Sequence, residues 1–146
     1  MKWLWIVPLS FAVLFAIVIV WGAMLPVAHT ASRKARFHQP PEAVWSAIAH
    51  QGTFREDNIN YEVTESKPPL RMVTKIADKN LPFGGSWTFE IAPDDANSIL
   101  RITENGEVYN PFFRFVSRYV MGQTATIDGR LQGLAKRFGE PIRIEN

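Results

Sequence analysis

The sequence predicts an α+β protein: one antiparallel sheet packed on a C-terminal helix, preceded by a single transmembrane helix. Three observations carry this. Residues 3–27 contain no charge, apolar residues recur with a period of two from residue 60 through a series of short turns, and the last 35 or so residues return to helical spacing. Behind the apolar run, a chain of 146 residues has room for one domain. The expected organisation is a transmembrane anchor at 1–28, a globular domain at 30–140 and a tail at 141–146.

At about 1.5 Å per residue the run 3–27 exceeds the roughly 30 Å hydrocarbon core of a bilayer. Trp3, Trp5 and Trp21 stand toward its ends, where indole rings favour the headgroup level. A cleaved secretory signal has an apolar core about half as long and a small-x-small pair before the cleavage point; here Ala28 follows Pro26, and Ala31 follows His29. The expected partner of this run is therefore the lipid bilayer. The side on which the domain lies is left open, because Lys2 argues for a cytoplasmic N-terminus and Arg33, Lys34 and Arg36 for a cytoplasmic domain.

The chain has 16 Lys and Arg, 14 Asp and Glu, a net charge of +2 and a pI of about 9.1. Lys2 alone precedes the apolar run and every acidic residue lies at or after Glu42, so the domain is nearly balanced. It lacks the excess of cations that neutralises many phosphates, and no nucleic acid is expected as a partner. The absence of cysteine excludes disulfides, thiolate zinc sites and a cysteine nucleophile.

Within the domain, residues 31–37 suit a strand, which Gln39-Pro40-Pro41 ends. A proline also suits the first turn of a helix, expected over 42–50 with Val44, Ala47 and Ile48 on one face and Gly52 beyond its end. Strands are expected at 60–65, 70–77, 86–92 and 98–108, separated by Lys67-Pro68-Pro69, Pro82-Phe83-Gly84-Gly85 and Pro93-Asp94-Asp95-Ala96-Asn97. Alternation puts Trp87, Phe89 and Ile91 on one face of the third of these, and Leu100 and Ile102 on one face of the fourth. Asn110-Pro111 opens a helix that carries Phe112, Phe113, Phe115, Val116, Tyr119 and Val120 as far as Gly122. Packing of its aromatic face on the sheet is the expected role, with a resting place on lipid headgroups, aided by Arg114 and Arg118, as the alternative. A last helix over 124–138 has Ile127, Leu131, Leu134 and Phe138 in register, closed by Gly139 and Pro141. It is the expected cover of the sheet.

Four segments carry a resemblance. Phe37-His38-Gln39-Pro40-Pro41-Glu42-Ala43-Val44-Trp45, Leu81-Pro82-Phe83-Gly84-Gly85-Ser86-Trp87, Thr103-Glu104-Asn105-Gly106-Glu107-Val108 and Asn110-Pro111-Phe112-Phe113-Arg114-Phe115 occur in the order found in the START-like superfamily, the SRPBCC or polyketide cyclase/dehydrase group, which the chain resembles over about residues 30 to 140. The resemblance implies a helix-grip fold, with a sheet wrapped around the last helix and a cavity between them for lipids, sterols, polyketides or other apolar molecules. The group usually has about seven strands and a second short helix. Five strands are legible here, and residues 51–59 read as too short for the missing pieces, so the expectation is a reduced sheet with a smaller or more open cavity.

On that basis the expected ligand-binding residues are Trp87, Phe89, Leu100, Ile102, Glu104, Gly129 and Gly133. Gly129 and Gly133 lie four apart on the last helix, where they either allow close packing on the sheet or leave open volume beneath it. Glu104 falls on the face of Leu100 and Ile102 by strict alternation, and is the candidate acid if there is catalysis; a strand end or a bulge near Gly106 would instead turn it to solvent. No cofactor and no metal are expected: His29, His38 and His50 share no ligand spacing, and Asp94, Asp95 and Asn97 fit a turn. The expected function is membrane-anchored, non-catalytic binding of a hydrophobic small molecule or lipid. The alternatives are a cyclase- or aromatase-type enzyme using the same cavity and a tethered interaction domain without a ligand.

Overall fold

The computed structural model describes residues 5–146; Lys2 and Trp3 of the expected anchor lie outside the described residues. Helix α1, Ile6–Met24, is long and apolar enough to cross a membrane. Its side chains are exposed almost throughout, and Gly22 is its buried residue. A helix that hides so little of its apolar surface leaves most of it for something outside the chain.

Residues 25–27 lead directly into strand β1, Ala28–Phe37. Pro40-Pro41 then opens helix α2, Pro41–Ile48, whose Val44 is fully buried over β5 and β6. Strands β2 (Thr53–Glu56), β3 (Ile59–Lys67), β4 (Arg71–Ile76), β5 (Phe83–Asp94) and β6 (Asn97–Val108) follow as an antiparallel meander. Helix α3, Pro111–Val116, runs on into a π-helical turn over Ser117–Met121, and helix α4, Ala125–Phe138, precedes strand β7, Ile144–Glu145. The strands form one sheet in the order β2-β3-β4-β5-β6-β1-β7. This is the helix-grip arrangement expected.

The sheet has seven strands, so the expected reduction in strand number is corrected. Of the two strands not foreseen, β2 occupies the segment read as too short. Asp57 and Asn58 both take positive φ, 50° and 63°, which closes a two-residue hairpin that pairs Glu56 with Ile59. Four residues on one side of so tight a turn suffice. The other is β7: Ile144 and Glu145 return along β1 opposite Ala35 and Lys34, so the expected tail ends as an edge strand, with Ile142 and Ile144 packed on the core.

The frame of the sheet is the pairing of β5 with β6 from Phe83 opposite Val108 to Asp94 opposite Asn97. On the other edge of β6, β1 pairs from Ala28 opposite Glu107 to Phe37 opposite Ser98. Neither register slips at Gly106, so the alternation that turns Leu100 and Ile102 inward carries through to Glu104. Helix α4 lies against β1 and β6, with Ile127 and Leu131 fully buried and Leu134 and Ala135 nearly so. Phe37, packed edge-on against Phe138, closes the core at the C-terminal end of this helix.

The aromatic helix does not pack into the core. No residue of α3 or of the π-helical turn is buried, and the segment lies against α1. Phe112 sits 5.9 Å from Phe15, ring centre to ring centre, and Trp21 Nε1 donates to the Tyr119 hydroxyl at 3.3 Å. Gly22 faces the carbonyl of Pro111 so closely that a Cβ there would overlap it. Arg114 donates to the carbonyl of Leu25 at 2.9 Å, which places a cation at the negative end of α1.

Leu131→Ala is expected to lower unfolding stability by about 2–5 kcal/mol, the range for emptying a fully buried leucine site. Gly129→Ala, two residues away, should raise it by up to about 1 kcal/mol, because a Cβ there meets nothing within 4 Å and alanine favours the helix. Urea unfolding of the two variants, followed by circular dichroism, checks both signs.

Candidate functional site

Because α4 rests on β1 and β6, its other flank stands away from the concave face formed by β3, β4 and β5. The space left is a cavity of about 1040 Å³, at the upper end of the range for small-molecule sites. Its wall is largely apolar: Met72 from β4, Trp87 and Phe89 from β5, Leu100 and Ile102 from β6, and Ile76 and Leu134 at the sides. Gly129 and Gly133 form its roof, and a Cβ added to either meets nothing within 4 Å. Of the two explanations for that glycine pair, open volume is the one found and close packing is not. The structure thus brings all seven expected residues to one cavity: Trp87, Phe89, Leu100, Ile102, Glu104, Gly129 and Gly133.

Polar groups enter this lining at a few points. Arg130, next to Gly129 on α4, forms an ion pair with Glu56 of β2 at 2.8 Å and lies 3.9 Å above the Trp87 ring. A guanidinium stacked on indole and paired with a carboxylate is held in place, not free to follow a ligand. Tyr61 extends the aromatic floor, edge-on to Trp87 and stacked on Phe54.

Glu104 and His29 mark another polar point. Glu104 projects inward with its side chain 15% exposed, so the outward turn near Gly106 does not occur. Its Oε2 is buried with no hydrogen-bond partner among the described residues, and its Oε1 lies 3.9 Å from Nε2 of His29. Burial raises the Glu104 pKa above the usual carboxylate value, opposed by the charge of Arg130, and burial lowers that of His29. Each group is driven toward its neutral form, the opposite of what an ion pair would do, so the two are neighbours and not a salt bridge.

His29, Arg130, Glu56 and Tyr61 were not among the expected site residues. His29 carries a readable signal once β1 is begun at Ala28, because His29, Ala31, Ala35 and Phe37 then share the inward face. Arg130 carries none, since a single arginine on an amphipathic helix reads as solvated. The cavity lining also takes in Phe113, Val116 and Met121, from the segment that packs on α1.

No protein-family model and no curated protein matches the sequence. Solved structures do match the fold. CalU16 from Micromonospora echinospora superposes with a TM-score of 0.57 at 14% identity, over 78% of each chain. PFC0360w, an HSP90 activator from Plasmodium falciparum, gives 0.53 at 16% identity, over 80% of this chain and 99% of that one. Ara h 8.0201 gives 0.51 at 10% identity, over 75% and 93%. All three are helix-grip folds of the Bet v1 kind, and what this chain shares with them is that fold.

The pKa directions fix the sign of a pH effect. Glu104 binds its proton more tightly in the folded state, so its contribution to stability falls as pH rises from the unfolded carboxylate value through the raised one. His29 binds its proton less tightly when folded, so its contribution is lost as pH falls from 6.5 through its lowered value. Glu104→Gln is therefore expected to raise the Tm at neutral pH and to flatten the decline above pH 5, measured by thermal scans across about pH 4 to 8.

Proposed function

We propose that α1 holds the protein in a bilayer and that the domain binds a hydrophobic small molecule or lipid in the cavity between the sheet and α4, without turning it over. The observation that carries this reading is a cavity of about 1040 Å³ whose wall is mostly hydrocarbon and aromatic ring. A space of that size in a small domain forgoes a large amount of packing, and an apolar occupant restores it. The second support is where the lining reaches α1. Phe113 and Met121 belong to it, and their segment is docked on the apolar helix α1, so one end of the cavity lies beside that helix. Apolar ligands partition into the bilayer that α1 would cross.

A cyclase- or aromatase-type enzyme remains the second reading, and Glu104 is its single observation: a carboxyl group in an apolar cavity with a raised pKa. Acid catalysis also needs a partner that fixes the proton, and His29 at 3.9 Å is beyond hydrogen-bond reach. An interaction domain with a filled core leaves the cavity unexplained.

Native mass spectrometry of the detergent-extracted chain tests the proposal. A small apolar molecule should copurify with the protein, and its occupancy should fall about tenfold, equivalent to roughly 1.4 kcal/mol, in the Gly129→Leu/Gly133→Leu double variant, whose side chains grow into the cavity. Absence of any copurifying molecule, or retention of it by a folded double variant, counts against the reading.

A further inference from the structure

We propose that the molecule held in the cavity ends in a hydroxyl group, which Glu104 and His29 bind together. The inference rests on the cavity-binding reading above and adds the chemistry of the ligand's head.

Buried carboxylates normally receive hydrogen bonds from the protein. Glu104 is mostly buried, its Oε2 is enclosed with no hydrogen-bond partner, and its Oε1, which faces His29, has none either among the described residues, so the fold leaves a polar group undersatisfied beside Trp87 and Ile102. His29 is placed beside it by construction. It pairs with Gly106 across β1 and β6, and its ring occupies the space that a side chain at residue 106 would fill. The two polar atoms stand 3.9 Å apart. That gap is too long for a direct hydrogen bond, yet a single oxygen between them can lie about 2.8 Å from each.

An oxygen in that position donates to Glu104 when the carboxyl is ionised and accepts from it when it is protonated, and it accepts from or donates to the imidazole Nε2 according to the tautomer. A hydroxyl does both. A carboxylate has no hydrogen for an ionised Glu104 and adds like charge, and an ammonium has no lone pair for an imidazole N–H. The nearby cation does not rescue an acidic ligand, because Arg130 is already bound to Glu56 at 2.8 Å and stacked on Trp87. The expected class is therefore a long-chain or polycyclic alcohol, apolar except for one hydroxyl.

Photolabelling of the full chain in phosphatidylcholine nanodiscs tests this. The probes are diazirine analogues of hexadecanol, hexadecanoic acid, hexadecylamine and headless hexadecane, with crosslinks mapped to peptides of β5, β6 and α4. The alcohol should label those peptides about tenfold more than the acid or the amine, the discrimination expected when a buried polar group is left unpaired. In Glu104→Gln, an isosteric change, the preference over the acid should shrink to about threefold or less, while headless hexadecane reports that the cavity persists. Labelling by acid or amine equal to that by alcohol overturns the proposal, as does an unchanged preference in Glu104→Gln. Failure of every probe, headless hexadecane included, to label these peptides overturns the cavity reading itself and this proposal with it.

Discussion

Ile127, Leu131, Leu134 and Ala135 seat the last helix on β1 and β6, to one side of a curved sheet, and the volume under the other side exists because of where that seam lies. Had the helix been centred over β5, its apolar stripe would have met Trp87 and Phe89 and closed the core. Instead the stripe is spent on the short inward residues of β1, Ala31 and Ala35, which let the helix come close. The flank turned to β3, β4 and β5 then carries Gly129 and Gly133, which send nothing into the space below. Close contact over Ala31 and Ala35 on one flank and bare glycines on the other leave the volume open by ordinary packing. Strand β2 completes the far wall, and Glu56 reaches back from it to Arg130, so lid and wall are joined by one charged contact across an apolar interior.

The same economy governs the α1 side of the molecule. The aromatic face of α3 is used on α1, with Gly22 against Pro111 as the point of closest approach. Glycine there is a steric requirement, because any side chain would meet backbone that cannot turn aside. Arg114 adds polar closure by serving the last carbonyls of α1, which no residue of its own helix could reach. What remains exposed on this segment, Phe113, Tyr119, Val120 and Met121, is apolar and adjoins the exposed surface of α1. In water such a patch would be a liability, whereas beside lipid it is a contact surface.

Much of this was legible in the sequence wherever a period was long enough to read. The alternation in β5 and β6 identified Trp87, Phe89, Leu100, Ile102 and Glu104 as one face, and the spacing of Ile127, Leu131 and Leu134 identified the lid. Short elements escaped. Strand β2 spans four residues and β7 two, below the length at which a period shows, and β7 is held by pairing with a strand more than a hundred residues earlier. The aromatic helix misled because an apolar face does not reveal which apolar surface it meets, and the uncharged run of α1 reads as a lipid-facing segment before it reads as a packing partner. The glycine pair was ambiguous for a related reason, since missing side chains permit either contact or space and only the placement of α4 decides. His29 was hidden by a boundary drawn three residues late.

The passage from α1 to β1 takes only residues 25–27, and Arg114 and Gly22 tie its α1 side to α3. A long flexible tether would let the domain roam. This junction has no such slack. With α1 across a bilayer, the end of the cavity beside α3 would stay next to one leaflet at all times, and exchange would follow the mole fraction of ligand in that leaflet more than its concentration in water. Solubility, which ordinarily limits how fast a greasy molecule reaches a protein, would then drop out of the rate.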